Sequence, residues 1–157
     1  MTRDLARDPS CALCASLDSE EPLWADELWS VRPVEAPPGV AGWMLLVSRR
    51  HCPGPAQLDD DEARSFGVVL RHLEATLLRV TGALRIYTAA LGEAQRHLHC
   101  HMVPRTAEMP KGASGWAVFD LQRAAREGEV VVDPSEAARV AAAFAEALRS
   151  DPPPRLG

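Results

Sequence analysis

The chain has 157 residues, which suits one compact domain with a substantial hydrophobic core. Its formal net charge of -5 at pH 7 and its pI near 5.5 argue against a general affinity for nucleic acid or for an acidic membrane. The first ten residues lack the apolar core of a secretory signal, and no apolar run is long enough to cross a bilayer. We therefore expect a cytoplasmic protein, with a single domain over residues 1–150 and a proline-rich tail over 151–157.

Cys11 and Cys14 form a C-x-x-C pair near the amino terminus, in a segment with little regular periodicity. This spacing lets both sulfur atoms reach one ion, as in tetrahedral zinc sites. A redox pair would be expected beside a βαβ pattern, which this region does not show. Two ligands do not complete a zinc site, so the motif alone leaves zinc binding and an incidental pair both open.

Two strand patterns follow the cysteine pair. Residues 28–34 predict a short strand, placed at a sheet edge because Pro33 cannot donate a backbone hydrogen bond. Residues 42–48 form a continuous apolar run, GWMLLVS, which predicts a buried strand. His51 comes where this second strand gives way to a loop, a position from which ligands commonly project.

Helix signals frame the middle and the end of the chain. Aspartates at 59–61 offer capping oxygens, and apolar residues then recur at helical spacing to about residue 80, with Gly82 as the stop. We expect the apolar stripe of this long helix to pack against the sheet. Residues 84–90 predict another strand, and the Asp-Pro-Ser-Glu sequence at 133–136 predicts the start of a closing helix.

The segment 96–105, RHLHCHMVPR, places His97, His99 and His101 on alternate positions with apolar residues between them. Alternation is the period of a half-buried strand, so the imidazoles should share one face while the other face joins the core. Neighbouring imidazoles oppose each other's protonation, which favours the neutral ring that acts as a nucleophile or a ligand. Three unrelated polar side chains are the alternative interpretation, and the strict alternation argues against it.

Residues 91–96 link this strand to the strand at 84–90. The link is too short for a helical crossover, which predicts an antiparallel pair. Gly92 lies within the link, where a glycine lets backbone amides approach an anion closely.

The sequence HLHCHMV at 97–103 resembles the signature of the histidine triad family, three histidines each followed by an apolar residue. Residues 42–47 followed by His51 are similar to the family's second block, with the long helix correctly placed between the two blocks. The resemblance covers about residues 11–105. It implies an α+β fold with a five-stranded antiparallel sheet, one long central helix and a C-terminal helix. It also implies a nucleotide substrate and a homodimer whose sheets join.

The same resemblance implies roles for individual residues. His99 matches the family's nucleophile, which would attack the α-phosphorus of a nucleotide and give a nucleotidyl-histidine that water hydrolyses. His101 matches the histidine that contacts the phosphate, and Glu35 falls where the family places an acidic residue facing the ribose hydroxyls. The remaining substrate-binding candidates, which would stabilise charge on the phosphoryl oxygens, are Gly92, Ala94 and Arg96.

The resemblance also supplies a full ligand set for the cysteine pair. Zinc-containing bacterial members, and the distantly similar galactose-1-phosphate uridylyltransferases, use two cysteines, a histidine after the second block and the first triad histidine. The matching residues are Cys11, Cys14, His51 and His97. Two sulfur and two nitrogen ligands suit tetrahedral zinc, and with no open position the metal would be structural. Free thiols without a metal are the alternative.

Two departures from the family pattern bear on substrate preference. Ala94 stands where many members carry serine or threonine, and Glu93 stands where glutamine is common. His101 favours hydrolysis, because the uridylyltransferases have glutamine at that position. We therefore expect a hydrolase of nucleoside phosphoramidates, acyl or sulfo nucleotides, or dinucleoside polyphosphates.

Three alternatives to the hydrolase stay open at this point. One is a nucleotide phosphorylase or nucleotidyltransferase, which needs an acceptor other than water. Another is a nucleotide-binding module without turnover. The third, a catalytic metal held by the triad itself, is disfavoured because His51 and His97 already share a simpler joint role.

Overall fold

The computed structural model describes residues 6–155; residues 1–5 of the expected domain and residues 156–157 of the expected tail lie outside it. The helices are α1 (Ala12–Ser19), α2 (Asp60–Thr81), α3 (Asp120–Arg126) and α4 (Pro134–Ser150). The strands are β1 (Trp24–Ala25), β2 (Trp29–Pro33), β3 (Met44–Ser48), β4 (Arg85–Ala89) and β5 (His99–Arg105). Short 3-10 turns lie at Pro55–Gln57, Lys111–Ala113 and Gly115–Phe119. Within residues 6–155, no helix combines the length and apolar character needed to cross a bilayer.

The five strands form one sheet in the order β1-β2-β3-β5-β4, and every neighbouring pair is antiparallel. The expected α+β fold with a five-stranded antiparallel sheet is confirmed. β3 lies at the centre, and all five of its residues are buried, as the continuous apolar run predicts. The short link after β4 does bring β5 back antiparallel to it.

The alternation along β5 divides its side chains between the two faces of the sheet. Leu98, Cys100 and Met102 belong to the main core on one face. His99 and His101 lie opposite Val47 and Leu45 of β3 and point to the other face. Period-two alternation therefore places two imidazoles side by side above a fully packed core.

Helix α2 covers the core face of the sheet, and both of its ends are well capped. Asp59 and Glu62 form a capping box at the start, and Gly82 ends the helix with a left-handed φ of 65°. The most buried apolar positions, Val69 and Leu73 among them, contact the sheet, and α4 packs beside α2. Other buried core members are Trp29, Met44, Leu46, Leu77, Phe144 and Leu148.

Some expectations from the sequence were wrong or incomplete. β2 is not at the edge, because β1 pairs with it at Ser30 and Val31; Pro33 is tolerated since β1 does not extend to it. Helix α1 begins directly after Cys11, where no periodicity indicated a helix. Between β5 and α4 the chain forms α3 and two 3-10 turns, for which the sequence patterns gave no prediction.

The C-terminal tail does not hang free of the domain. Pro153 is buried, and residues 152–155 line a groove together with Trp24 of β1. His72 of α2 donates a hydrogen bond from Nε2 to the carbonyl of Asp151 at 2.8 Å. These contacts hold residues 151–155 against the edge of the sheet.

Removing a buried leucine tests this description of the core. Leu73 is fully buried, so Leu73→Ala should lower the free energy of unfolding by about 2–5 kcal/mol, because it leaves a cavity. Leu84 is 65% exposed, so Leu84→Ala should change that free energy by no more than about 0.5 kcal/mol. Chemical denaturation of both variants measures the difference, and equal losses would contradict the packing.

Candidate active site and metal centre

Four side chains converge at the start of β5. The ligand atoms of Cys11, Cys14, His51 and His97 all lie within 4.8 Å of one another. His97 Nδ1 is 3.4 Å from Cys11 Sγ and 3.5 Å from Cys14 Sγ, and His51 Nδ1 is 3.4 Å from Cys14 Sγ. The structure thus brings together residues from α1, from the loop after β3 and from the start of the triad.

These separations fit a tetrahedral zinc ion. Zinc binds sulfur at about 2.3 Å and imidazole nitrogen at about 2.0–2.1 Å, so tetrahedral directions separate a sulfur from a nitrogen by about 3.6 Å. The three observed sulfur–nitrogen distances of 3.4–3.5 Å agree closely with this expected separation. The donor set of two thiols and two imidazoles is also one that zinc prefers.

The tautomer of His97 is fixed in the form that a metal requires. Its Nε2 lies 2.7 Å from the carbonyl oxygen of Ser48, and since a carbonyl only accepts, Nε2 carries the proton. Nδ1 is therefore bare and faces the two thiols. Burial lowers the pKa of His97, which keeps the ring neutral and able to bind.

The segment before Cys11 closes over the cluster. The amide of His51 donates to the carbonyl of Ala6 at 2.8 Å, and Asp8 Oδ2 lies 3.8 Å from His51 Nε2. Hydrogen bonds from Ser10 hold the Asp8 carboxylate in place and lower its pKa. This acidic neighbour of His51 was not predicted, since nothing local to Asp8 signals that His51 will lie beside it.

His99 is oriented by the backbone of the residue two positions before it. Its Nδ1 lies 2.7 Å from the carbonyl oxygen of His97, so Nδ1 carries the proton and donates. In the neutral ring Nε2 is then the unprotonated nitrogen, with its lone pair available. The bond thus orients Nε2 as the nitrogen that can act as a nucleophile.

His101 has the opposite tautomer, and Trp43 determines it. The indole Nε1–H of Trp43 can only donate, and it lies 3.0 Å from His101 Nδ1, so the proton of His101 is on Nε2. Burial, together with the adjacent His99, lowers the pKa of His101 to about 4. His101 therefore offers a neutral N–H donor at physiological pH, 5.2 Å from the His99 ring between centroids.

Both histidines line a cavity of about 580 Å³, within the range of small-molecule sites. Its walls come from α1, β2, β3, the β4–β5 link and α3. The apolar lining includes Leu13, Val34, Leu45 and Phe119. The charged lining comprises Glu20, Arg32, Glu35, Glu93 and Arg126.

Glu35 lines this cavity and is held there by α3. Its carboxylate pairs with Arg126 at 3.3 Å, with 82% of the Glu35 side chain exposed. Gln122 Nε2 donates to the carbonyls of Glu35 and Pro37, and its Oε1 accepts from the amide of Gly39. A Cβ on Gly39 would lie 2.5 Å from the backbone of Leu121, so this turn and α3 fit together only with glycine there.

The β4–β5 link contributes only part of what the sequence predicts. Gly92, with a left-handed φ of 69°, lines the cavity together with Glu93 and Ala94. Arg96 is exposed and is not among the cavity-lining residues. Its proposed contact with phosphate therefore stays a prediction that this arrangement does not support.

No protein-family model matches the sequence, and no curated protein matches it. Solved structures do match over almost their whole length. A histidine triad protein from Sinorhizobium meliloti is 24% identical, with a TM-score of 0.64, covering 88% of this chain and 98% of that one. A zinc-bound histidine triad family protein from Mycobacterium smegmatis is 16% identical, with a TM-score of 0.61, covering 90% and 98%. The chain has the histidine triad fold.

A hypothetical histidine triad nucleotide-binding protein from Sulfolobus tokodaii shares this histidine triad fold, with a TM-score of 0.65 at 14% identity, covering 94% of this chain and 100% of that one. The resemblance stated from residues 97–103 is thereby confirmed at the level of the fold. These likenesses leave the roles of individual side chains to be argued from their geometry.

Some residues that shape the cavity around His99 and His101 were not predicted from the sequence. The sequence indicated Trp43 only as part of a buried strand, and it gave no signal for Gln122. Arg32 of β2 was read as an ordinary strand position. Each acts through a contact distant in sequence, and only the position of Trp43 opposite the triad strand could have given a signal.

The metal centre predicts a specific pattern of thiol reactivity. With zinc bound, all four cysteines should resist a thiol reagent. A chelator should make Cys11 reactive, because that residue is 8% exposed without the metal, while Cys14, Cys52 and Cys100 stay protected at 3%, 1% and 3%. Burial also raises the pKa of Cys100 to about 12, which suppresses its thiolate.

Metal analysis should accordingly find one zinc per chain. Cys11→Ser should lose it, and the matched control Cys52→Ala should keep it. Four unreactive thiols after chelation, or a Cys11→Ser protein that retains its zinc, would contradict the assignment.

The low pKa of His101 predicts a loss of stability in mild acid. The unfolded chain takes up a proton near pH 6.5, whereas the folded chain does so only near pH 4, so stability is full above pH 6.5 and falls as the pH drops toward 4. Between pH 7 and pH 5 this one group should cost about 2 kcal/mol. His101→Gln should flatten that part of the dependence, measured by denaturation at both pH values. Identical slopes in the two proteins would show that His101 does not titrate as described.

Proposed function

We propose that the protein is a nucleotide hydrolase that acts at the α-phosphorus through a covalent nucleotidyl-His99 intermediate. The observation that carries the proposal is the hydrogen bond from His99 Nδ1 to the His97 carbonyl, at 2.7 Å. In the neutral ring it leaves the lone pair on Nε2, on a residue that lines a cavity of small-molecule size. The zinc-bound and nucleotide-binding descriptions of proteins with this fold are consistent with the proposal.

In the first step the lone pair of His99 Nε2 attacks the α-phosphorus and forms a P–N bond. The bond from phosphorus to the leaving group breaks, and the leaving group departs with the electron pair and takes a proton from water. In the second step a water oxygen attacks phosphorus, its proton passes to the solvent, and the P–N electron pair returns to Nε2. The products are a nucleoside monophosphate and the protonated leaving group.

His101 serves this reaction as a fixed, neutral hydrogen-bond donor to a phosphoryl oxygen. Its Nε2–H is available because Trp43 occupies Nδ1, and its pKa of about 4 keeps the ring uncharged at neutral pH. A preoriented donor stabilises charge that develops on the phosphoryl group without having to reorganise. We assign amides of Gly92 and Ala94 to the same oxygens, and the Glu35 carboxylate to the ribose hydroxyls.

We assign zinc at Cys11, Cys14, His51 and His97 a structural role. Bound there, it would have no open position and would tie the N-terminal segment to the start of β5. The homodimer, the cytoplasmic location and the hydrolysis of phosphoramidates, acyl or sulfo nucleotides or dinucleoside polyphosphates stay predictions.

Replacing the nucleophile is the direct test of this function. His99→Ala should slow release of nucleoside monophosphate from adenosine or guanosine phosphoramidate by roughly 10³-fold or more, because the covalent route is lost. His72 lies on α2, on the opposite side of the sheet from the cavity, and it hydrogen-bonds to Asp151. The His72→Ala variant should therefore hydrolyse the phosphoramidate at the wild-type rate. Acid quenching of the wild type followed by mass spectrometry should show a nucleotidyl adduct on His99.

Product analysis separates hydrolysis from its alternatives. In water enriched in oxygen-18, hydrolysis places one heavy oxygen in the monophosphate, whereas added inorganic phosphate would give a nucleoside diphosphate in a phosphorylase. Nucleotide binding without an adduct or turnover would identify a binding module. Equal turnover by the wild type and His99→Ala would refute the proposed mechanism.

A further inference from the structure

The cavity wall contains a buried cation that the proposed mechanism does not use. Arg32 lies on β2, is only 5% exposed, and lines the same cavity as His99 and His101. A buried charge is costly unless its donors are well paired. The partners of its guanidinium therefore indicate what the site is built to hold.

One end of the Arg32 guanidinium is fixed by the protein. Nη1 donates to Ser16 Oγ at 2.6 Å and to Glu20 Oε2 at 3.2 Å. The Ser16 hydroxyl donates onward to the carbonyl of Leu13 at 3.1 Å, so it is fully used in holding Nη1. The head group is therefore oriented before any ligand arrives.

The other side of the guanidinium lacks partners. Nε is shielded from solvent and makes no hydrogen bond, and Nη2 forms none with residues 6–155. Nε and Nη2 lie on the same edge of the guanidinium, and of the two only Nε is buried from solvent. Nη2 is therefore the donor that a ligand in the cavity can reach.

The sheet register places Arg32 at about the distance from the triad at which a nucleotide base would lie. Arg32 is opposite Leu45, which is opposite His101, so Arg32 is two strands from the triad. Strands are about 4.8 Å apart, which puts the two backbones about 10 Å apart. With phosphorus at His99, that is about the reach of an extended nucleotide's base. Leu13, Val34 and Leu45 supply apolar surface for its faces.

The charges around Arg32 favour a neutral partner over an anion. Glu20 already pairs with Arg32, and Glu35 pairs with Arg126. Glu93 adds a further carboxylate to the cavity lining. The negative charge of these carboxylates would repel a second phosphate, whereas neutral ring acceptors carry no net charge to be repelled.

We propose that Arg32 and Glu20 form a guanine-recognition subsite, so that the preferred substrate is a guanine nucleotide. Nη2 of Arg32 donates to O6 or N7 of the base, the two acceptors that arginine most commonly contacts on guanine. The Glu20 carboxylate, 64% exposed beside it, accepts from N1–H and the N2 amino group. Adenine has a donor at N6 and an acceptor at N1, so both contacts would be repulsive. This inference rests on the proposed nucleotide site.

Calorimetric titration of the zinc-loaded protein with GMP and AMP tests the subsite. The wild type should bind GMP at least about tenfold more tightly than AMP. Glu20→Ala should reduce that ratio severalfold, while Glu21→Ala, the exposed neighbour that does not line the cavity, should leave it unchanged. Arg32→Gln should weaken GMP binding and leave AMP binding equal or tighter, because glutamine pairs with N6 and N7 of adenine.

The outcomes separate this inference from the proposed function. If the wild type binds both nucleotides equally and hydrolyses their phosphoramidates, the guanine subsite is refuted and the hydrolase stands. If neither nucleotide binds, both fall together. If Arg32→Gln weakens GMP and AMP equally, Arg32 holds a group common to both and the subsite is refuted. Should Arg32→Gln fail to fold, Glu20→Ala against Glu21→Ala decides the question.

Discussion

The imidazole of His97 bonds in two directions, and the rest of the site depends on that arrangement. Its Nε2–H is held by the carbonyl of Ser48 at the end of β3, and its bare Nδ1 faces the thiols at the start of α1. Its own carbonyl then accepts from His99 Nδ1. One residue thus links the candidate metal centre to His99, and its bonds determine which nitrogen of each ring carries the proton. A displacement of the Ser48 carbonyl or of the thiols would therefore shift the His99 ring through these contacts of His97.

Local patterns were sufficient to predict the parts of the molecule that depend on local physics. Alternation in the triad strand correctly placed His99 and Cys100 on opposite faces, because side-chain direction in a strand follows from backbone geometry alone. Capping at Asp59 and the stop at Gly82 fixed the limits of α2 for the same reason. The four candidate metal ligands were predicted through family resemblance, and the structure brings all of them together.

Features that depend on tertiary contacts were not predictable in the same way. The Trp43 indole determines the tautomer of His101 only because β3 and β5 are neighbours. Gln122 shapes the cavity through a turn far from it in sequence, and Pro33 avoids a sheet edge only because β1 is short. Arg96 was placed at the phosphate from its nearness in sequence, but the conformation of the link leaves it exposed.

The two sides of the cavity are built very differently. Gln122 ties the turn carrying Glu35 to α3 with three hydrogen bonds. Across the cavity, residues 91–96 make no hydrogen bond to the remainder of the described chain, and Leu91 is 51% exposed. The nucleoside would therefore bind against a wall fixed by hydrogen bonds, and the leaving group would face an exposed and loosely held segment. An enzyme built this way would select strictly for the nucleoside and would accept a wide range of leaving groups.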